Sequence, residues 1–365
     1  MDADVTLVIV VGTALAFDFT NGFHDTANVV ATSISTRAMA PRIAIAYAAL
    51  LNFAGAFISL EVAATVADDV VEASAITPTV VFAGLIGAIA WNLATWYYGL
   101  PSSSSHALLG GVVGSTLAAV GTSAVLADGV FGKILIPAVV APIVAFVVGA
   151  LAIVCAYRIV GRLRPGSVNR GYRLGQVASG GMLALAHGTN DAQKTMGVIT
   201  LALVANGTLG ADEGVPFWVV VSAASAIALG TYSGGWRIIR TMGTRIIKMD
   251  AAQGFSAQGA GAAVILASSH FGFPLSTTQV ISGGVMGAGA GKRVSAVRWG
   301  VAGNIVAAWL LTFPAAAAVG AATYGVTRIF GTGAVGPVIV ATVALGLVAL
   351  AFARRARQGA PVPVG

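Results

Sequence analysis

The chain has 365 residues, 57% hydrophobic and only 9% charged, with a formal net charge of +7. Soluble domains carry roughly 25% charged residues, so a soluble fold would leave too much apolar surface in water; the composition describes a polytopic α-helical membrane protein. The positive charge does not point to nucleic acid, because it sits in short segments between apolar runs, where orientation in a bilayer accounts for it.

Taken in chain order, the apolar runs predict about eleven spans, since roughly 20 residues cross a bilayer core: 5–31, 41–62, 79–99, 102–125, 134–157, 174–204, 214–232, 252–270, 274–290, 299–324 and 335–353. Met1 to Asp4 is acidic, so the first span reads as retained rather than cleaved. The lone cysteine, Cys155, lies in an apolar run and reads as a small core residue. The basic segments are Arg37/Arg42, Arg158–Arg173, Arg237–Lys248, Lys292–Arg298 and Arg354–Arg357. They hold 17 of the 20 Lys and Arg, which places them and the C-terminus in the cytoplasm. The tail ARRARQGAPVPVG reads as short, basic and disordered.

Two polar cassettes each occur twice. NGFHDTAN (Asn21–Asn28) returns as HGTNDAQK (His187–Lys194), and PSSSSHALLGGVVG (Pro101–Gly114) returns as PLSTTQVISGGVMG (Pro274–Gly287). Asp25 and Asp191 are 166 residues apart, Pro101 and Pro274 173 apart, Pro142 and Pro314 172 apart. The basic loops give corresponding spans opposite orientations, so the halves are inverted repeats. That plan puts a transport site near the bilayer midplane at the repeat interface. The expected organisation is an N-terminal membrane repeat over 1–157, a basic cytoplasmic loop over 158–173, a C-terminal inverted repeat over 174–324, and a terminal span with a basic tail over 325–365. The fold class is all-α, with about 10–12 transmembrane helices and broken or re-entrant helices at the central site.

In the first cassette pair, Gly22 and Gly188 beside stranded polar groups suggest helices broken to line a cavity. An ionised residue at the bilayer centre costs about 2.5–3.5 kcal/mol, so Asp25, Asp191 and Lys194 together need a reason to be there. Pairing of Asp191 with Lys194 as a purely structural device would leave Asp25 and the duplication unexplained. In the second pair, a proline opens a hydroxyl-rich segment: Ser102, Ser103, Ser104 and Ser105 in one half, Ser276, Thr277 and Thr278 in the other. Proline breaks an incoming helix and suits the first turn of a new one, whose free N–H groups then form an anion site. Two such half-helices from inverted repeats could face one anion. An anion beside two ionised aspartates would be repelled, so cations must enter with it, which is cotransport in electrostatic terms. Lys194 offsets one charge and could contact the anion. The four histidines (His24, His106, His187, His270) fit no standard metal motif; His24 and His187 are candidates for proton or ligand roles. Asn52 and Asn304 could line a pathway or join helices. Ser105 and His106 are neighbours on a helix and do not face each other, so a Ser–His hydrolase is not supported and the chain reads as no enzyme.

These residues resemble the inorganic phosphate transporter (PiT) family, in its bacterial low-affinity permease branch. The family's GANDxAN-type signature stands here as GFHDTAN (Gly22–Asn28) and GTNDAQK (Gly188–Lys194), its P-x-S-[ST]-[ST] elements as Pro101–Ser105 and Pro274–Thr278, and its WLLTFP element at Trp309–Pro314. The resemblance spans about 5–325. It implies a plasma-membrane symporter importing inorganic phosphate by alternating access, with protons, sodium or a neutral metal–phosphate complex. It implies that His24, Asp25, Asn28, His187, Asn190 and Asp191 hold the coupling ion or proton. Phosphate would be held by Ser103, Ser104, Ser105, Ser276, Thr277, Thr278 and Lys194. His24 in place of Asn, and Gln193–Lys194 in place of Ala-Asn, resemble the proton-using branch. No cofactor is implied beyond the co-transported ion, and no fixed metal site is assigned. The expected partners are phosphate and membrane lipid, with a homodimer suggested by the family. A sulfate carrier of the same family, or an anion channel, is the alternative.

Overall fold

A computed structural model describes the backbone of residues 2–357 and the side chains of residues 4–350. Its helices are α1 (Asp2–Ser35), α2 (Pro41–Gly55), α3 (Glu61–Asp68), α4 (Pro78–Tyr98), α5 (Ser104–Ala119), α6 (Ala127–Gly129), α7 (Ile136–Val160), α8 (Pro165–Ala205), α9 (Phe217–Ser233), α10 (Trp236–Arg240), α11 (Ala251–His270), α12 (Thr277–Lys292), α13 (Trp299–Ile329) and α14 (Val335–Arg357). Local chemistry sets many of the boundaries. Proline occupies the first turn of α2, α4 and α8, where its missing N–H costs nothing. A left-handed Gly99 closes α4. Asp250 and Gln253 form a reciprocal capping box at the start of α11.

Each predicted span has a helix in its place, but the helices are unlike one another. Among the described residues, four are long and apolar enough to cross a membrane, and the pair α9–α10, bent by 61°, makes a fifth if counted as one span. α5 and α12 have 16 residues each, about 24 Å at 1.5 Å per residue, which is short of a bilayer core. Both are buried along almost their whole length. α7, α13 and α14 turn Val139, Leu151, Leu310, Leu311 and Leu345 outward, the surface that lipid would cover. Cys155 is exposed on α7 rather than in the core.

Two sequence expectations are corrected. First, α1 and α8 are continuous through their cassettes; the breaks fall before α5 and α12 and between α9 and α10. Gly22 and Gly188 serve close approach instead. A Cβ on Gly22 would strike the Ile227 carbonyl on α9, and one on Gly188 would strike the Asn52 carbonyl on α2. Second, the expected loop over 158–173 shrinks to 161–164, because Pro165 starts α8 and puts Arg170 and Arg173 on its first turns. The expected boundary at 325 falls inside α13, and the tail beyond Arg357 lies outside the described residues.

Packing interlocks the halves. α1 packs on α9 and α8 on α2; α5 packs on α13 and α12 on α7. The glycines at these contacts correspond. Gly110 and Gly114 abut Phe313 and Ala317, while Gly283 and Gly287 abut Pro142 and Phe146. Gly230 abuts Phe19, while Gly55 abuts Leu185. Each close approach thus has a counterpart with the halves exchanged, as a pseudo-two-fold relation requires. Small residues allow this because apolar lipid gives helices no hydrophobic reason to associate, so close van der Waals packing must supply it. Two apolar clusters result. α1 enters one at Phe17 and the other at Ala27; α8 does so at Ala192 and Ala186. The polar cassettes occupy the interval between them.

Candidate functional site

The starts of α5 and α12 are built alike. Ser103 caps α5 by accepting from the His106 N–H at 3.1 Å, and Ser276 caps α12 by accepting from the Gln279 N–H at 3.3 Å. Each helix therefore has its serine cap two residues after its proline and its first residue three after, rather than starting at the proline itself. The caps spend the Ser103 and Ser276 hydroxyls on their own backbone. The next residues point inward. Ser104 Oγ donates to Asp25 Oδ2 at 2.7 Å, and its counterpart Thr277 Oγ1 donates to Asp191 Oδ2 at 3.0 Å. Thr278 Oγ1 donates to Asp25 Oδ1 at 3.2 Å, so both helix starts meet on one carboxylate.

The first-cassette residues obey the same symmetry. Asn28 Nδ2 donates to Thr278 Oγ1 at 2.9 Å; its counterpart Lys194 Nζ donates to Ser105 Oγ at 2.6 Å. Lys194 also reaches Asp191 Oδ1 at 2.5 Å and the Leu275 carbonyl at 2.6 Å. One half thus offers a neutral amide where the other offers an ammonium. His106 and Gln279, again counterparts, meet across the pseudo-axis with Nδ1 and Nε2 3.4 Å apart. Asp25, Asp191 and Lys194 are each at most 1% exposed.

Both histidine candidates sit on the carboxylates. His24 Nδ1 is 2.6 Å from Asp25 Oδ1. His187 Nε2 is 3.0 Å from Asp191 Oδ2, an ion-pair distance but off the line of a hydrogen bond. Ligand atoms of Asp25, His187 and Asp191 all lie within 4.8 Å of one another. This is a convergence that neither histidine's sequence spacing announced. Asn190 turns away, donating to Ser269 Oγ at 2.8 Å and the Phe273 carbonyl at 3.1 Å. His270 packs edge-on against Phe271.

Other polar residues prove to be supports. Gln193 Oε1 accepts from the Val62 and Ala63 N–H groups at 2.9 and 3.1 Å, so it caps α3 rather than entering the site. Asn52 Nδ2 donates to Thr231 Oγ1 at 2.8 Å, while its Oδ1 lies 3.3 Å from His187 Nδ1; it joins helices and orients the histidine. Asn304 is exposed on α13. Ser105 donates to the Leu275 carbonyl at 3.1 Å and receives Lys194, so Ser105 and His106 face different partners. Thr95, which sequence spacing did not single out, and Ser102 of the hydroxyl-rich segment flank His24 Nε2 at 3.2 and 3.4 Å. Asp18 was missed as well; it is fully buried on α1.

Residues 21–320, which hold all four cassettes, match the Phosphate transporter family. The chain belongs to that family. A probable low-affinity inorganic phosphate transporter of Mycobacterium tuberculosis is 55% identical over 89% of this chain and 78% of its own length. Proteins of the same description from Rhizobium meliloti and Bacillus subtilis are 47% and 43% identical, covering 89% and 88% of this chain and 98% and 96% of their own lengths. Among solved structures, a sodium-dependent phosphate transporter matches with a TM-score of 0.80 at 24% identity, over 89% of this chain and 99% of its own. That likeness bears on the fold. This phosphate transporter family member is a multi-pass membrane protein whose relatives carry transporter names, not enzyme names.

Proposed function

We propose that this chain is a secondary active symporter that imports inorganic phosphate across the cell membrane by alternating access, coupled to protons or sodium. The observation that carries the reading is that the hydroxyls at the two helix starts grip the two aspartates: Ser104 on Asp25 and Thr277 on Asp191. Phosphate needs those same donors, together with Lys194 and the free N–H groups of α5 and α12. Carboxylate and phosphate therefore compete for one set of donors. A proton or cation arriving at Asp25 and Asp191 weakens them as acceptors and releases Ser104, Thr277, Thr278 and Lys194 to the anion, with Ser105 beside them. Phosphate binding is then strong only after the coupling ion has bound, and the two move together.

Several features support the finer assignments. Asp25, His187 and Asp191 converge closely enough to hold a cation, which suits a divalent metal carried with phosphate as neutral cargo. An ammonium at Lys194, where the other half has the Asn28 amide, leaves room for an oxygen-coordinated sodium ion on one side only, which favours protons. The interlocked halves, 1–157 and 174–324, are the bodies that rock against each other. The basic segments support a cytoplasmic C-terminus.

The test is uptake of labelled phosphate by the purified protein in liposomes, under an imposed pH gradient, with and without sodium or divalent metal. Uptake that follows one of these gradients is expected, with protons the favoured driver. Uptake indifferent to all of them removes cotransport, and full competition by sulfate reassigns the cargo.

A further inference from the structure

Asp18, Asn21, Asp25 and Asn28 recur at three- and four-residue steps along α1, so they form one polar stripe on a single helix face. All four are buried. Asp18 stands two turns from Asp25, about 10 Å along the axis. It differs from the other two intramembrane aspartates. Asp25 has His24 and Asp191 has Lys194 and His187 as partners, whereas Asp18 forms no ion pair among the described residues and has neutral side chains for hydrogen-bonding neighbours. The polar side chains beside it are Thr195 and Asn21, whose Oγ1 and Oδ1 are themselves buried without a partner.

The charged groups that act on Asp18 through space are Asp191 and Lys194, both from α8. Of the other helices packed against α1, α4 and α9 carry no charged residue. The others bring Arg42 on α2, Arg237 and Arg240 on α10, Arg245 on the turn after it, His106 on α5, His270 on α11 and Lys292 on α12, and among the described residues none of them forms an ion pair with Asp18. Among the described residues no cation forms an ion pair with this enclosed carboxyl, and the ammonium of Lys194 is engaged by Asp191. The acid form needs one acceptor for its O–H, and Asn21 and Thr195 leave two unused.

We propose that Asp18 is a proton-binding site of the transport cycle. The proton adds to a carboxylate oxygen on one side of the membrane and leaves that oxygen on the other, so Asp18 alternates between carboxylic acid and carboxylate. The charges of Asp191 and Lys194 act on Asp18 through space, so proton binding there is coupled to the state of that pair. The polar stripe through Asn21 links it to the Asp25 site. This inference rests on the symport reading and adds the place where a transported proton rides.

The test uses wild type, Asp18→Asn and Asp18→Glu in proteoliposomes. Two rates are compared: phosphate–phosphate exchange, which needs no net proton movement, and accumulation driven by a pH gradient. The Asn variant should lower the ratio of accumulation to exchange by about tenfold or more, with proton influx per phosphate falling in parallel, and Asp18→Glu should restore the ratio. An unchanged ratio in Asp18→Asn overturns the proposal, as does an equal loss of both rates in the Asn and Glu variants. Infrared spectra of the purified protein give a readout independent of transport. A protonated-carboxyl band present in wild type should be missing from Asp18→Asn, and identical spectra overturn the proposal even if the variant is inactive. If wild type moves no phosphate, the symport reading fails, while the infrared comparison still decides Asp18.

Discussion

Ser104 and Thr277 each spend their hydroxyl on a carboxylate, and the same hydroxyl is what an incoming phosphate would take. A hydrogen bond to a charged group is worth about 1.5–3 kcal/mol, and each 1.4 kcal/mol is about tenfold in affinity. Ser104→Ala and Thr277→Val should therefore each raise the KM for phosphate by about 10- to 100-fold in liposome uptake. Lys194 is a different case, because its removal strands Asp191 in an apolar interior. Breaking a buried ion pair from one side costs about 3–5 kcal/mol. Lys194→Asn, which copies the Asn28 of the other half, should lower the thermal midpoint sharply. Adding Asp191→Asn should recover most of that stability while uptake stays lost. A double variant no more stable than Lys194→Asn alone would show that the pair does not act as a unit. The sequence exposed these residues because charge is conspicuous in an apolar run. It did not expose Gln193 as the cap of α3, Asn190 as a donor to Ser269, or Asp18 as the acid with no ion pair among the described residues. Those roles depend on neighbours from distant parts of the chain.

Helix contacts in this protein depend on missing side chains. At Gly110 and Gly283 an added Cβ would meet the backbone carbonyls of Phe313 and Pro142, and backbone cannot swing aside as a flexible side chain can. Gly110→Ala and Gly283→Ala should each destabilise by about 1–3 kcal/mol, the usual cost of overpacking, and should impair uptake by shifting the starts of α5 and α12. Gly132→Ala is the control, since nothing lies within 4 Å of its Cβ position. Thermal unfolding of the three variants decides the matter, and equal behaviour would contradict the packing argument. At the start of α11, burial alone would raise the Asp250 carboxyl. Hydrogen bonds from Lys292, Tyr157 and the Gln253 N–H outweigh it and hold the carboxyl below its usual range. A depressed folded-state pKa adds stability above the unfolded value of about 3.9 and loses it as pH falls through the folded value. Asp250→Asn should therefore narrow the difference in thermal midpoint between neutral and strongly acidic solution, modestly, because the group is part-exposed and screened. An unchanged pH profile would remove Asp250 from the acid response.

Neither half completes its own packing. α1 and α5 close on helices of the second half, and α8 and α12 on helices of the first. A chain cut within 161–164 should thus yield fragments that are degraded when expressed singly and that copurify when expressed together. Stable, monodisperse single halves would contradict the interlock.

Hydropathy and the duplicated cassettes determined that this is a helical membrane protein of two related halves, where its helices lie, and which polar residues crowd its centre. These are local or repeated signals, and apolar period, proline, serine cap and charge are read within a few residues of where they act. Tertiary structure alone decided that α1 and α8 run unbroken past Gly22 and Gly188, while the breaks before α5 and α12 follow from the local proline and serine signals. It alone decided that Ser104 reaches Asp25 and Thr277 reaches Asp191, and that Asp18 forms no ion pair among the described residues. Each outcome depends on which carbonyl or carboxylate arrives from 70 to 250 residues away, and no spacing along the chain encodes that arrival.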